Sequence, residues 1–230
     1  METPGQDIAA NLESVRQKLA AATAAAGRPQ GCAQLVAVSK GQEASMIRQA
    51  LDAGQRIFGE NRVQESQAKW PELRSRHDGI ELHLIGPLQT NKVRDALALF
   101  DVIETLDRPK LARTLASAIE KSGRAPRLFV QVNTGREDQK AGVAPEDLGG
   151  LLGLARDELG LQIEGLMCLP PFDADPGPHF QQLAGLARQH GLMGLSMGMS
   201  RDFELAAANG ASLVRVGTAI FGPRSQPPPR

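Results

Sequence analysis

The feature that most constrains the fold is a regular alternation of short apolar segments with longer segments of helical periodicity. The apolar segments are predicted strands at 35–38, 56–58, 82–85, 102–103, 128–132, 162–167, 194–196 and 213–216. The predicted helices lie at 44–53, 61–76, 110–122, 145–158, 178–190 and 202–209. Several strands lack polar alternation, which is typical of parallel strands buried on both faces, and parallel neighbours need a crossover that is usually helical. We therefore predict an α/β fold, a single (β/α)8 TIM-type barrel, with a doubly wound open sheet as the alternative.

A further helix is predicted before the first strand, over about residues 7–26. Its apolar residues recur at spacings of four, three and four, which places them on one face. They are Ile8, Leu12, Val15 and Leu19. Gly27 and Pro29 end the helix, because glycine tolerates the cap conformation and proline cannot continue the helix.

No interior linker divides the chain, although the Pro-rich stretch 170–178 is predicted to be a long loop after the sixth strand. One domain over residues 1–224 is therefore predicted. Residues 225–230, with three consecutive prolines, are predicted to form a disordered tail.

Charge balance and cysteine placement argue against several classes of function. Lys plus Arg (26) equals Asp plus Glu (26), so no net charge attracts nucleic acid or an anionic membrane. Cys32 and Cys168 lie far apart and outside any Cys-x-x-Cys pair, which argues against a disulfide scaffold and a zinc site. No targeting segment or apolar stretch of membrane-spanning length is evident, so a soluble cytoplasmic protein is expected.

Lys40 is the first candidate functional residue, because working residues in such barrels lie at the C-terminal ends of strands. It directly follows the first predicted strand, after Ser39. A lysine desolvated in that position can act as a nucleophile toward an aldehyde. A solvated loop lysine is the commoner alternative.

Two loops rich in glycine and hydroxyl groups follow the last two strands. One reads Ser-Met-Gly-Met-Ser over residues 196–200, and the other begins with Gly217 and Thr218. Glycine lets backbone N–H groups approach an oxyanion, and a helix N-terminus adds a favourable dipole. Because the loops after strands seven and eight often bind phosphate in this fold, they predict a phosphate site, unless the glycines only make turns.

Arg215 lies inside an apolar strand, where its alternation with Val214 and Val216 predicts that it points into the barrel. A buried charge needs a partner, which is either a carboxylate from another strand or an acceptor on a ligand. His83 is predicted to be a hydrogen-bonded core histidine. Asn61 is a candidate helix cap, and Cys168 a small buried hydrophobic residue.

Six segments, in order along nearly the whole chain, carry a resemblance to a known family. They are 36–40, 58–61 with 63–65, 83–92, 165–167, 195–200 and 214–222. In these segments the chain closely resembles the pyridoxal phosphate homeostasis proteins, a small family that binds pyridoxal 5'-phosphate (PLP) and is called YggS-type in bacteria and PROSC in animals. The resemblance implies an alanine-racemase-like barrel (PLP fold type III) without the second β domain of true racemases.

The resemblance also implies roles for individual residues. Lys40 would hold the PLP cofactor as a Schiff base, Arg215 would face the pyridine nitrogen, and Asn61 would lie near the ring. The residues implied around the phosphate are Ser196, Gly198, Gly217 and Thr218, with Met199 and Ser200 close by. No role is assigned to His83, Asn91 or Lys92. Many relatives continue Thr-Lys-Pro after the lysine, whereas this chain has Gly41, Gln42 and Glu43, so the loop beside the cofactor is unassigned.

The residues favour binding over catalysis. PLP withdraws electrons best when its ring nitrogen is protonated, and a permanently cationic arginine beside that nitrogen favours the unprotonated form. In racemases of this fold one base is a tyrosine, and this chain has none. We therefore predict PLP buffering and delivery, with no catalytic residue assigned, PLP-dependent apoenzymes as recipients, and a monomer. The alternatives are an amino-acid racemase with an unconventional second base and a non-covalent binder of another phosphorylated metabolite.

Overall fold

The computed structural model describes residues 7–137 and 139–223, which form a closed barrel of eight parallel strands in chain order. The strands are β1 (Gln34–Val38), β2 (Ile57–Glu60), β3 (Glu81–Leu84), β4 (Val102–Leu106), β5 (Arg127–Val132), β6 (Ile163–Cys168), β7 (Gly194–Met199) and β8 (Leu213–Val216). The barrel closes where β1 pairs with β8 in parallel, from Gln34 beside Leu213 to Ala37 beside Val216. The predicted barrel is therefore confirmed, and the doubly wound sheet was the wrong alternative.

Helices follow the strands and surround the barrel. They are α1 (Ile8–Ala25), α2 (Ala44–Asp52), α3 (Val63–Arg76), α4 (Val93–Leu99), α5 (Pro109–Ser122), α6 (Leu148–Gly153), α7 (Pro176–Gln189), α8 (Phe203–Ala208) and α9 (Thr218–Phe221). Short 3-10 turns precede α4 and α6, and a π-helical turn (Leu154–Glu158) extends α6. The predicted tail, 225–230, lies outside the residues that the structure describes.

The core has two parts because side chains alternate between the two faces of each strand. The larger part lies between the barrel and the helices; there Phe58 on β2 packs against Trp70 on α3, with ring centroids 5.0 Å apart. The smaller part comes from alternate positions on five strands and fills the barrel interior. Its buried members are Val36, Val102, Phe129, Met167 and Leu213.

Two glycines make room for this interior packing. A Cβ atom on Gly165 of β6 would lie 2.2 Å from the carbonyl oxygen of Gly194 on β7. A Cβ atom on Gly194 would lie 2.7 Å from the ring of Phe129. The absence of side chains at these two positions lets β6 and β7 approach closely and leaves space inside the barrel for the Phe129 ring.

Helix α1 covers the side of the barrel where the chain closes. The side chain of Asp7 caps it by accepting a hydrogen bond from the Ala10 N–H at 2.9 Å. Beyond the helix, Arg28 donates to the carbonyl oxygens of Ala211 (2.9 Å) and Gly210 (3.2 Å), which joins the first loop to the end of α8. Among the described residues, none of the helices combines the length and apolarity that crossing a bilayer requires.

Candidate functional site

A cavity of about 560 Å³ opens at the C-terminal end of the barrel. The ends of β1, β2, β7 and β8 form one side of it, and the loop after β6, from Leu169 to Pro176, forms the other. Its volume falls within the range of small-molecule sites, roughly 300–1,000 Å³. The position agrees with the rule that barrels of this type carry their sites on this face.

Seven of the nine residues implied by the resemblance line this cavity: Lys40, Asn61, Met199, Ser200, Arg215, Gly217 and Thr218. Gly198 and Ser196 do not line it. Gly198 has φ +90°, and a Cβ atom there would lie 2.4 Å from the Cβ of Ala206 on α8, so glycine is required for packing at this position. The Ser196 hydroxyl contacts Glu104 and Arg215 inside the barrel.

The residues on both sides of Lys40 are bound to strand β2 and helix α3. Before it, Ser39 donates its hydroxyl to Glu60 Oε1 at 2.8 Å, and the Ser39 carbonyl accepts from Lys69 Nζ at 3.1 Å. After it, the Gly41 N–H donates to a carboxylate of α3 at 2.6 Å. These bonds fix the backbone that carries Lys40 at the rim of the cavity.

Glu60 is the centre of this arrangement. Its Oε1 also accepts from Trp70 Nε1 (3.1 Å) and forms an ion pair with Lys69 (2.8 Å), while its buried Oε2 has no hydrogen-bond partner. Burial raises the pKa of Glu60, and the Lys69 ammonium opposes that rise. Lys69 reaches a second carboxylate, Glu65, at 2.8 Å, and Glu65 is the group that accepts from Gly41.

The loops after β7 and β8 contact each other beside the cavity. The Gly217 N–H donates to Ser200 Oγ at 3.3 Å, and the Met199 N–H donates to Asp202 Oδ1 at 2.6 Å. Gly217 lies so close to β1 that a Cβ atom would be 3.3 Å from Val38. Ser200 and Thr218 thus place two hydroxyl groups on the cavity wall next to the strand that leads to Lys40.

Arg215 lies at the floor of the cavity and is only 3 % exposed. It donates through Nη1 to Ser196 Oγ at 2.5 Å and through Nη2 to the carbonyl oxygen of Cys168 at 2.8 Å. A carboxylate from another strand, Glu104 on β4, lies 3.8 Å from Nη1. Of the two partners that the sequence allowed for Arg215, a carboxylate or an acceptor on a ligand, the carboxylate is present.

Glu104 connects Arg215 to His83, a link that no pattern in the sequence predicted. Its Oε2 accepts from Ser196 Oγ at 2.5 Å, and its Oε1 lies 2.6 Å from His83 Nδ1. The other ring nitrogen of His83 lies 2.7 Å from Glu81 Oε1. Burial opposes both charges, yet the hydrogen bond and the charge of Glu104 raise the pKa of His83, and the same pair lowers the pKa of Glu104.

The remaining candidates lie away from the cavity wall. His83 is fully buried, as predicted for a core histidine, and Asn91 and Lys92 lie in a 3-10 turn outside the cavity. Cys168 is buried, and burial raises its pKa to about 12, so it stays a thiol at neutral pH. At the cavity mouth, Phe172 is 75 % exposed and the guanidinium of Arg201 lies 4.6 Å from its ring centre.

The donor set suits a flat anionic aldehyde such as PLP. Lys40 supplies an amine, Arg215 a fixed cation, and Ser200 and Thr218 hydroxyl donors for an oxyanion. Apolar side chains such as Val38 and Ile85 form part of the wall. The fold and the site together define the class of the protein, the barrel of the alanine racemase type. A family model described as "Alanine racemase, N-terminal domain" matches residues 8–225.

Within that class, the chain belongs to the family of pyridoxal phosphate homeostasis proteins. It is 39 % identical over 229 residues to the pyridoxal phosphate homeostasis protein of Escherichia coli K12, covering 95 % of this chain and 97 % of the relative. It is 37 % identical over 222 residues to the protein of the same name from Aquifex aeolicus, covering 93 % and 96 %.

Solved structures agree with this assignment. PipY from Synechococcus elongatus PCC7942, in a structure with PLP bound, is 39 % identical with a TM-score of 0.81, covering 94 % of this chain and 100 % of PipY. Alanine racemase from Clostridium difficile 630 shares the fold at 13 % identity and a TM-score of 0.67. The alignment covers 92 % of this chain and 57 % of that racemase, which corresponds to the barrel part of such proteins.

Proposed function

We propose that this protein binds PLP and takes part in its homeostasis by buffering and delivering it, with the cofactor held as a Schiff base on Lys40. The observation that carries the proposal is the cavity, which has the size of a small-molecule site and includes both Lys40 and Arg215 in its wall. The PLP-bound structure of PipY, a relative that this chain matches over 94 % of its length, supports the choice of ligand.

Six residues on the wall have a part in this proposal: Lys40, Asn61, Ser200, Arg215, Gly217 and Thr218. The ammonium of Lys40 loses a proton and its amine condenses with the aldehyde, releasing water. Ser200, Gly217 and Thr218 surround the phosphate, with the backbone of Ser196, Gly198 and Met199 nearby. Arg215 donates to the pyridine nitrogen, and Asn61 lies near the ring.

The chemistry of the wall favours storage over turnover. PLP supplies an electron sink when its ring nitrogen carries a proton, and a guanidinium can only donate to that nitrogen. Racemisation also needs an acid or base on each face of the substrate. Of the described residues that line the cavity, Asp202 is the one carboxylate, and its Oδ1 already accepts from the Met199 N–H.

Absorbance spectroscopy tests the covalent link. The purified protein with added PLP is expected to show the visible band of a PLP Schiff base, which borohydride abolishes, and mass spectrometry then finds the reduced adduct on Lys40. Lys40→Ala is expected to lack the band. Lys92→Ala, which changes a lysine outside the cavity, is the matched control and is expected to keep it. A retained band and adduct in Lys40→Ala would refute the role of Lys40.

Turnover separates the proposal from the racemase alternative. The holoprotein is expected to exchange the Cα hydrogen of amino acids in heavy water no faster than free PLP does.

We further propose a cytoplasmic monomer that transfers PLP to PLP-dependent apoenzymes. Sedimentation of the holoprotein tests the monomer, and reactivation of an apoenzyme, compared with the same concentration of free PLP, tests the transfer.

A further inference from the structure

The donor and acceptor roles along the buried chain of polar groups inside the barrel can be assigned from geometry. Both ring nitrogens of His83 face carboxylate oxygens, at 2.6 Å and 2.7 Å. Because the pKa values of Glu81 and Glu104 are both lowered, both groups are carboxylates that only accept, so both nitrogens donate and His83 is an imidazolium. Glu104 faces this cation with Oε1 and the Ser196 hydroxyl with Oε2.

The same reasoning fixes Ser196. A guanidinium has no acceptor, so Arg215 Nη1 donates to Ser196 Oγ, and the hydroxyl proton of Ser196 must point to Glu104 Oε2. Glu104 thus lies between two cations, 2.6 Å from His83 directly and linked to Arg215 through one hydroxyl. Hydrogen bonds that involve charged groups are the strong ones, and a buried network of this kind is rigid when its members are paired.

We propose that Glu104, acting through Ser196, is a positioning residue for Arg215, and that His83 holds Glu104 in the orientation required. This inference rests on the proposed function, because Arg215 is the group that faces the cofactor ring. Without Glu104, the guanidinium would keep its bond to the Cys168 carbonyl, but Ser196, which accepts from its other arm, would lose the carboxylate that orients its hydroxyl. The position of the guanidinium at the cavity wall would then be less fixed.

Two variants interrupt the hydrogen-bond network between His83 and Arg215 at different points. Ser196→Ala removes the link and leaves both charges in place, whereas Glu104→Gln keeps the shape and removes the negative charge. Ser66→Ala is the matched control. Ser66 on α3 is also fully buried, and its hydroxyl donates to the Arg62 carbonyl at 2.8 Å, outside this hydrogen-bond network. If Glu104→Gln does not fold, Ser196→Ala decides.

The first readout does not need PLP. In nitrogen-15 NMR of the protein without cofactor, the Arg215 side-chain N–H signals, assigned with Arg215→Lys, are expected to be protected from exchange. They are expected to lose that protection in Ser196→Ala and Glu104→Gln and to keep it in Ser66→Ala. Protection that survives in the first two variants would overturn the proposal.

The second readout is the ring nitrogen of nitrogen-15-labelled PLP in the holoprotein. Its resonance is expected to move in Ser196→Ala and Glu104→Gln, with PLP binding weakened about tenfold, the effect of one hydrogen bond to a charged group. Ser66→Ala is expected to leave both unchanged. Resonance and affinity that stay unchanged in folded Ser196→Ala would overturn this inference and leave the proposed function standing. If the unaltered protein binds no labelled PLP, the proposed function and this inference both fail.

Discussion

His83 Nδ1 lies 2.6 Å from Glu104 Oε1, and both side chains are fully buried inside the barrel. Burial disfavours the charge on each group, but each group stabilises the charge on the other. The pKa of His83 is consequently raised and the pKa of Glu104 lowered. The stability of the barrel must therefore depend on pH.

The pair is expected to stabilise the fold most between the ordinary pKa values of the two groups, 4.5 and 6.5. The raised pKa of His83 gives stability that is complete below 6.5 and is lost as pH rises through the folded value. The lowered pKa of Glu104 gives stability that is present above 4.5 and is lost as pH falls through its folded value. Urea unfolding of the protein and of His83→Gln should differ by about 3 kcal/mol in this window and by less at alkaline pH. A difference that is constant across pH would contradict this.

Substituting Gly165 by alanine is expected to destabilise the barrel by about 3 kcal/mol. The added Cβ atom would meet the backbone oxygen of Gly194 at 2.2 Å, and backbone inside a closed sheet cannot move aside cheaply. Gly150→Ala is the control, because nothing lies within 4 Å of a Cβ atom there and alanine favours the helix. Thermal unfolding that shows equal stability for the two variants would refute the packing argument.

Lys69→Met is expected to cost about 2–3 kcal/mol of stability and to slow the capture of PLP. The substitution leaves the buried Glu60 without its ion-pair partner and removes a hydrogen bond to the Ser39 carbonyl, next to Lys40. Lys110→Met, an exposed change on α5, is the control. Stopped-flow absorbance after mixing with PLP measures the rate, and equal rates in the two variants would show that the anchoring of this segment does not matter.

The two cysteines are expected to differ in reactivity. Burial raises the pKa of Cys168 to about 12, so almost none of it is thiolate at neutral pH, whereas Cys32 is partly exposed. In the folded protein, iodoacetamide should modify Cys32 and leave Cys168 intact, as mass spectrometry of peptides would show. Addition of urea should make both react. Rapid labelling of Cys168 in the folded protein would mean that the barrel opens locally.

The sequence predicted the barrel well because its evidence was local and repeated. Continuous apolar runs and helical segments alternate along the chain, and chain order is also the order of strands around the barrel. The helix that begins at Thr218 (α9) was expected from the sequence, whereas α4 was not predicted. Helix α4 has seven residues, and a segment of this length shows little periodicity.

The site was predicted only in part, for a physical reason. Arg215 was noticed because a charge inside an apolar strand needs a partner. Glu104 gives the same signal, but the predicted strand ended at Ile103 whereas β4 continues to Leu106. The Ser196 hydroxyl was linked to a phosphate because its loop suggested one. The direction of a side chain at the end of a strand depends on tertiary contacts, which the sequence does not display.

The anchoring of Ser39 and Gly41 to helix α3 has an entropic consequence for the proposed capture of an aldehyde by Lys40. A flexible loop would have to lose backbone freedom, about 1–2 kcal/mol for each residue, when the bond forms. Here that loss has already occurred during folding, so capture orders little more than one side chain. A store that must both take up and release its cargo gains from this, because neither direction requires a loop to order or to melt.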